Sequence, residues 1–88
     1  MSTADHEWPA MTSVEVDNHF ITASFADGRR VGLPISWSWR LERATPAQRA
    51  RWELIADGAG IHWPDVDEDL SAGGFFVGTP APRPRASR

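Results

Sequence analysis

Eighty-eight residues, 41% of them apolar and including five Trp and four Phe, allow one small domain with a modest aromatic core. There is no cysteine, which excludes disulfides, zinc–thiolate sites and thiol catalysis, and no apolar run approaches the ~18 residues of a membrane span. All nine cations are arginines, and Arg83, Arg85 and Arg88 fall at the C-terminal end, so residues 1–78 set six Arg against twelve Asp and Glu, a formal −6. Direct nucleic-acid binding is not expected of so acidic a body, because neutralising phosphates takes a basic face. The N-terminus lacks a basic-then-apolar leader pattern, and a cytoplasmic location is the expectation.

Residues 1–11 read as a partly ordered lead-in with Trp8-Pro9 as its anchor. From Val14 to Ile35 the pattern is that of strands. Val14 and Val16 alternate with polar neighbours, and Ile21, Ala23 and Phe25 share one face opposite Thr22 and Ser24. Asp27-Gly28 reads as a two-residue hairpin turn, after which Val31, Leu33 and Ile35 restart the alternation. Pro34, which cannot donate to a ladder, implies an edge position there, with the strand ending near Ile35. Ser36-Trp37-Ser38-Trp39 then reads as a loop that folds two indoles under the sheet.

Thr45, Pro46 and Gln48 form the start of a helix: an N-cap, a proline at the first position and the third-position partner of a capping box. With Asp57-Gly58 as its exit, this predicts an amphipathic helix over residues 45–57. Ala47, Ala50, Leu54 and Ile55 would form its apolar stripe, and Arg49 and Glu53 an exposed pair four residues apart. Arg51 falls inside the stripe, an odd place for a guanidinium. Beyond it, Ile61-His62-Trp63 is a short extended segment stopped by Pro64. Asp65, Asp67, Glu68 and Asp69 then crowd four carboxylates into five positions, an acidic loop anchored by apolar residues at both ends. Leu70 to Val77 is apolar enough to dock, although Gly73-Gly74 weakens any helix there by ~1 kcal/mol per glycine. From Thr79 onward alternating prolines and arginines read as a disordered tail over residues 79–88.

Several of these segments carry a resemblance. Phe25-Ala26-Asp27-Gly28-Arg29, Trp37-Ser38-Trp39-Arg40-Leu41, Ala44-Thr45-Pro46-Ala47-Gln48-Arg49 and the stretch from Gly60 to Leu70 are similar to the bacterial domain-of-unknown-function family 2442 (DUF2442). The resemblance covers roughly residues 12–78, and Gly-Ile-His-Trp-Pro followed by Asp-Val-Asp-Glu-Asp is its specific part. It implies a small α+β domain with a short antiparallel sheet and a packed helix. It implies no established activity, although some similar proteins are encoded beside a second small protein, in the manner of toxin–antitoxin pairs. Ser38 stands where the family pattern has proline, and Gly73-Gly74 where relatives have better helix formers.

The acidic segment admits three roles. As a calcium loop it fails, because the sixth position is Leu70 rather than Gly and the twelfth is Phe76 rather than Glu; no metal or other cofactor is expected. As an internal partner, one carboxylate would receive Arg51 or Arg40. Replacing Arg51 by Met would then cost ~3 kcal/mol if the pair is buried, and almost nothing if the arginine only snorkels. As a docking surface it would meet a basic partner protein. His62, with Asp65 beside it, lacks the nucleophile or metal that catalysis needs, and reads as a structural donor at the sheet edge.

These readings converge on an α+β domain over residues 12–78: a three- to four-stranded antiparallel meander with the helix of residues 45–57 across its apolar face. The function expected is a non-enzymatic, antitoxin-like adaptor. Its partner would bind Trp63, Asp65, Asp67, Glu68 and Asp69 with Phe75 and Phe76 as an apolar flank, while Arg51 serves as a structural ion pair. A homodimer through strand edges is compatible with this. The alternative is an acidic inhibitor that mimics nucleic acid in the groove of a nuclease or defence complex.

Overall fold

A computed structural model describes residues 8–78. The first half folds as its alternation predicts. Strand β1 (Met11–Val16), β2 (Phe20–Phe25) and β3 (Arg30–Pro34) form an antiparallel meander in the order β1-β2-β3. Ile21, Ala23 and Phe25 are buried together on one face, beside Met11, Val14 and Leu33. Pro34 pairs with Phe20 at the outer strand, where its missing N–H costs no ladder bond. Asp17 closes the β1–β2 turn by accepting the N–H groups of His19 and Phe20, each at 2.7 Å, which holds its carboxyl below the usual carboxylate range.

The β2–β3 turn falls at Asp27-Gly28, but it is not a two-residue turn. Phe25 N–H donates to the Arg29 carbonyl and Gly28 N–H to the Phe25 carbonyl, both at 2.9 Å. Of the turn residues only Gly28 has a positive φ, 94°. Asp27 keeps a negative φ because its carboxylate accepts from Arg29 N–H at 3.1 Å and Nε at 2.7 Å, so the loop is a type I turn followed by a left-handed glycine.

Ile35–Trp37 make a 3-10 turn, and Trp39–Glu42 form the single turn α1. Ser38 caps α1 by accepting the Leu41 N–H at 3.2 Å. The expected helix of residues 45–57 is corrected by the structure. Its capping box is present, but the helix, α2, covers only Pro46–Arg49. Ala47, Ala50, Leu54 and Ile55, the supposed stripe, are all exposed, whereas Arg49, expected on the surface with Glu53, is buried. Residues Glu53–Ile55 are strand β4, paired with β5 (Gly60–Trp63), which in turn pairs with β6 (Glu68–Ser71) in the order β4-β5-β6. An isolated helix of this length is marginal, and ladder bonds to β5 displace it. Asp57-Gly58 therefore turns a hairpin instead of ending a helix, with Ala56, Asp57 and Gly58 all at positive φ.

The architecture is thus α+β with two three-stranded antiparallel sheets, not one meander crossed by one helix. Helix α3 (Ala72–Val77) follows β6 directly, capped by the Ser71 side chain and ended by left-handed Gly78. β1 lies alongside β4, and α3 packs against both β3 and β6, so the two sheets enclose one core. Leu41, Ile61, Trp63, Ala72 and Phe75 complete it from the second half. The predicted tail, residues 79–88, and the lead-in up to residue 7 lie outside the described residues. Met11, assigned to the lead-in, begins β1 and is buried.

Candidate functional site

The acidic segment is a hairpin tip. Trp63 pairs with Glu68, leaving the four residues 64–67 as the turn, with Val66 N–H donating to the Trp63 carbonyl at 3.3 Å. Pro64 stops β5, and Asp67 takes a left-handed φ of 56° that reverses the chain into β6.

Alternation along β5 and β6 sorts the expected site residues to opposite faces. Trp63 is 0% exposed, and its Nε1 donates to the Arg49 carbonyl at 3.0 Å. Glu68 is 4% exposed. Its Oε2 accepts from Ser38 Oγ at 2.5 Å, its Oε1 accepts from Asp69 N–H at 3.0 Å, and Arg40 Nη1 stands 3.8 Å away. Both residues are interior, which corrects their assignment to a partner-binding surface. Ser38, at the departure from the family pattern, joins α1 to β6 through this bond. Phe75 is buried in an edge-on contact with Phe25, centroids 6.2 Å apart. Phe76 is stacked on Trp8 at 5.1 Å, with the Arg29 guanidinium 4.7 Å from its ring. The two phenylalanines lie beyond the far end of β6, against the β2–β3 hairpin, and do not flank the acidic tip.

Asp65, Asp67 and Asp69 are exposed. Arg51 Nη1 approaches Asp65 Oδ2 at 3.3 Å, with 69% of the arginine side chain accessible, so this is a surface pair. Asp69 sits opposite His62 in the ladder, and His62 sits opposite Glu53. The row Glu53–His62–Asp69 runs across the outer face of the second sheet, with His62 Nδ1 2.5 Å from Asp69 Oδ1. That hydrogen bond raises the His62 pKa above 6.5; burial opposes the shift, and the charges of Asp69, Glu53 and Asp67 add to it. His62 is accordingly on a central strand with Asp69 as partner, not at an edge with Asp65. Among the described residues Asp67 has no hydrogen bond or ion pair of its own.

Sequence reasoning missed Glu53 because its alignment with His62 exists only once β4 pairs with β5. It also missed Arg49. The buried guanidinium donates from Nε to the Leu41 carbonyl at 2.9 Å, from Nη2 to the Glu42 carbonyl at 3.0 Å and from Nη1 to Asn18 Oδ1 at 2.9 Å. The available signal was Arg49's place within the quoted family segment, not its helical spacing. Among the described residues no group of three or more His, Asp or Glu is arranged to hold a metal ion, and no helix is long and apolar enough to cross a membrane.

A small two-sheet α+β domain carrying a charged hairpin is the class that this geometry defines. Residues 11–80 match the family model described as "Protein of unknown function (DUF2442)", and the chain belongs to that family. A crystal structure of a protein of unknown function from Rhodospirillum rubrum is similar at 25% identity and TM-score 0.71, covering 85% of this chain and 93% of that one. A solution structure of an uncharacterised protein from Chromobacterium violaceum shares the fold at 22% identity and TM-score 0.75, over 91% of this chain and 75% of the other. Comparison with curated proteins returns no match.

Proposed function

We propose that this chain is a non-enzymatic protein-binding adaptor, the antitoxin-like member of a two-protein pair acting in the cytoplasm. Its contact surface is the tip and outer face of the β5–β6 hairpin, and its partner presents a basic patch. The observation that carries the reading is the placement of Asp67. It is held at a left-handed position between interior Glu68 and half-buried Val66, and among the described residues its carboxylate has no hydrogen bond or ion pair, while its charge reaches His62. Asp65, Asp69 and Glu53 are exposed as well: Asp65 holds a surface pair with Arg51 that a partner's cation can replace, and Asp69 and Glu53 flank His62 on the outer face. An unpaired carboxylate on a hairpin tip accelerates encounter with a basic surface. The rival reading, mimicry of nucleic acid, needs an uninterrupted negative stripe. Here Arg51 and His62 punctuate the acidic surface, which favours a localised contact.

The test is capture of the partner from the native host on the tagged chain, followed by a titration with the purified partner. Asp67→Asn with Asp69→Asn should weaken binding about tenfold or more and flatten its salt dependence, because two contacts with a basic patch are lost. Undiminished binding by the double variant would reject the hairpin as the contact.

A further inference from the structure

On the other side of the hairpin tip, the side chains of α1 form a second surface. Trp39 opens the helix, with Arg40 next to it and Arg43 one helical turn on. The Arg40 and Arg43 guanidinium carbons stand 4.6 and 5.5 Å from the Trp39 ring centroid. Both cations are therefore held over the indole by attraction to its π-face. Among the described residues the one carboxylate within ion-pair distance of Arg40 is that of Glu68, at 3.8 Å. Arg43 is exposed and has no carboxylate within ion-pair distance among the described residues, and its guanidinium donates to no acceptor there. Between α1, α2 and the hairpin lies an open groove of about 190 Å³, lined by Trp39, Arg40, Arg43, Ala44, Gln48 and Val66. Its floor is mainly carbon: the indole, the Ala44 methyl and the Val66 side chain. Its rim is cationic.

The geometry points to this groove as a docking site for an acidic peptide segment of a partner protein, one in which an aromatic or branched aliphatic side chain is flanked by Asp or Glu. The apolar side chain fills the floor against Trp39, and the neighbouring carboxylate takes the idle N–H donors of Arg43 in the forked geometry that arginine offers. Trp and Arg are the residue types that most often anchor protein contacts. A nucleic-acid strand would use the same ring and cations. The occupant is instead assigned as peptide because Glu68 stands 3.8 Å from Arg40, Asp65 adjoins Val66 in the chain, and residues 1–78 carry a formal −6. That field repels a polyphosphate far more than a segment bearing one or two carboxylates. The groove meets the hairpin tip at Val66, but its acidic occupant is distinct from the basic partner proposed for Asp67.

The experiment uses the full chain labelled with 5-fluorotryptophan, the Trp39 resonance being assigned by its loss in Trp39→Phe. The probes are the peptides Ac-Ala-Asp-Phe-Glu-Ala-NH2 and Ac-Ala-Asn-Phe-Gln-Ala-NH2, and single-stranded oligothymidylate. The acidic peptide should move the Trp39 signal saturably while the buried Trp63 signal stays in place. Binding should weaken about fivefold or more with the amide peptide or in Arg43→Gln, and remain unchanged in Asp67→Asn. The inference is overturned by any of three results: no saturable shift at millimolar peptide, equal affinity for the amide peptide or in Arg43→Gln, or a tighter response to oligothymidylate.

Discussion

Arg49 and Arg51, two residues apart, show how little residue type alone says about energetic weight. Arg49 is 8% exposed, and its guanidinium donates to the last carbonyls of α1, those of Leu41 and Glu42, while the residue's own carbonyl receives the Trp63 indole. Arg49→Met would remove three hydrogen bonds of a buried guanidinium, to the Leu41 and Glu42 carbonyls and to Asn18 Oδ1, and should cost about 3 kcal/mol in denaturant unfolding. Arg51→Met removes a surface pair and should leave the unfolding midpoint within about 0.5 kcal/mol of the parent, the snorkelling outcome rather than the buried one. A large loss for Arg51→Met, or none for Arg49→Met, would reverse this assignment. His62 makes the stability depend on pH. Its folded pKa is raised above 6.5 chiefly by the hydrogen bond to Asp69, so protonation favours the folded state. The stabilisation is fully present below about pH 6.5, the ordinary histidine value, and is lost as pH rises through the higher folded value. Unfolding curves at stepwise pH should show that decline, and Asp69→Asn, which removes its largest cause, should flatten it.

Among the elements, those set by local chemistry were legible and those set by pairing were not. Strands β1–β3, the Thr45 capping box and the proline at the end of β3 each rest on an alternation or a side-chain geometry that needs no distant partner. The length of α2 did not follow, because residues 53–55 satisfy a helical period and a strand period alike. The choice was made by β5, which sequence spacing cannot see. The glycine pair of α3 misled for a related reason. A helix forms over it, and Gly73 is there for packing: a Cβ at that position would stand 2.9 Å from Trp8 Nε1. Gly73→Ala should therefore not deliver the ~1 kcal/mol that alanine gains over glycine in a helix. It should push Trp8 off Phe76 and red-shift the tryptophan emission. If Gly73→Ala stabilises the protein by the full amount with its spectrum unchanged, Trp8 is not what holds that position to glycine.

At the scale of the molecule, the decisive feature is the seam where the two sheets meet, and nothing in the sequence marks it. The expectation of a single sheet failed here: β4 was read as helix and β6 as an acidic loop, and only the juxtaposition of the two sheets, β1 beside β4, makes one core. The acidic hairpin was legible as an anchored charged segment. Which of its carboxylates face outward was not, because a one-residue change of register exchanges Glu68 for Asp69. The seam depends on Gly58. It has a φ of 89°, and a Cβ there would stand 2.7 Å from the Met11 carbonyl oxygen and 2.9 Å from the Ala10 Cβ. Neither neighbour is the far end of a flexible side chain, so relief requires β1 to move away from the β4–β5 hairpin. Gly58→Ala thus combines a left-handed backbone with a rigid clash, and should destabilise by about 3 kcal/mol or more. Gly28→Ala is the control, with a similar φ of 94° and open space around its Cβ, and should lose only the backbone part, about 1 kcal/mol. If the sheets fold as one unit, both variants unfold in a single transition, reported alike by far-ultraviolet dichroism and by the buried Trp63. Two separated transitions in Gly58→Ala would show instead that each sheet stands alone and that the seam is only a contact.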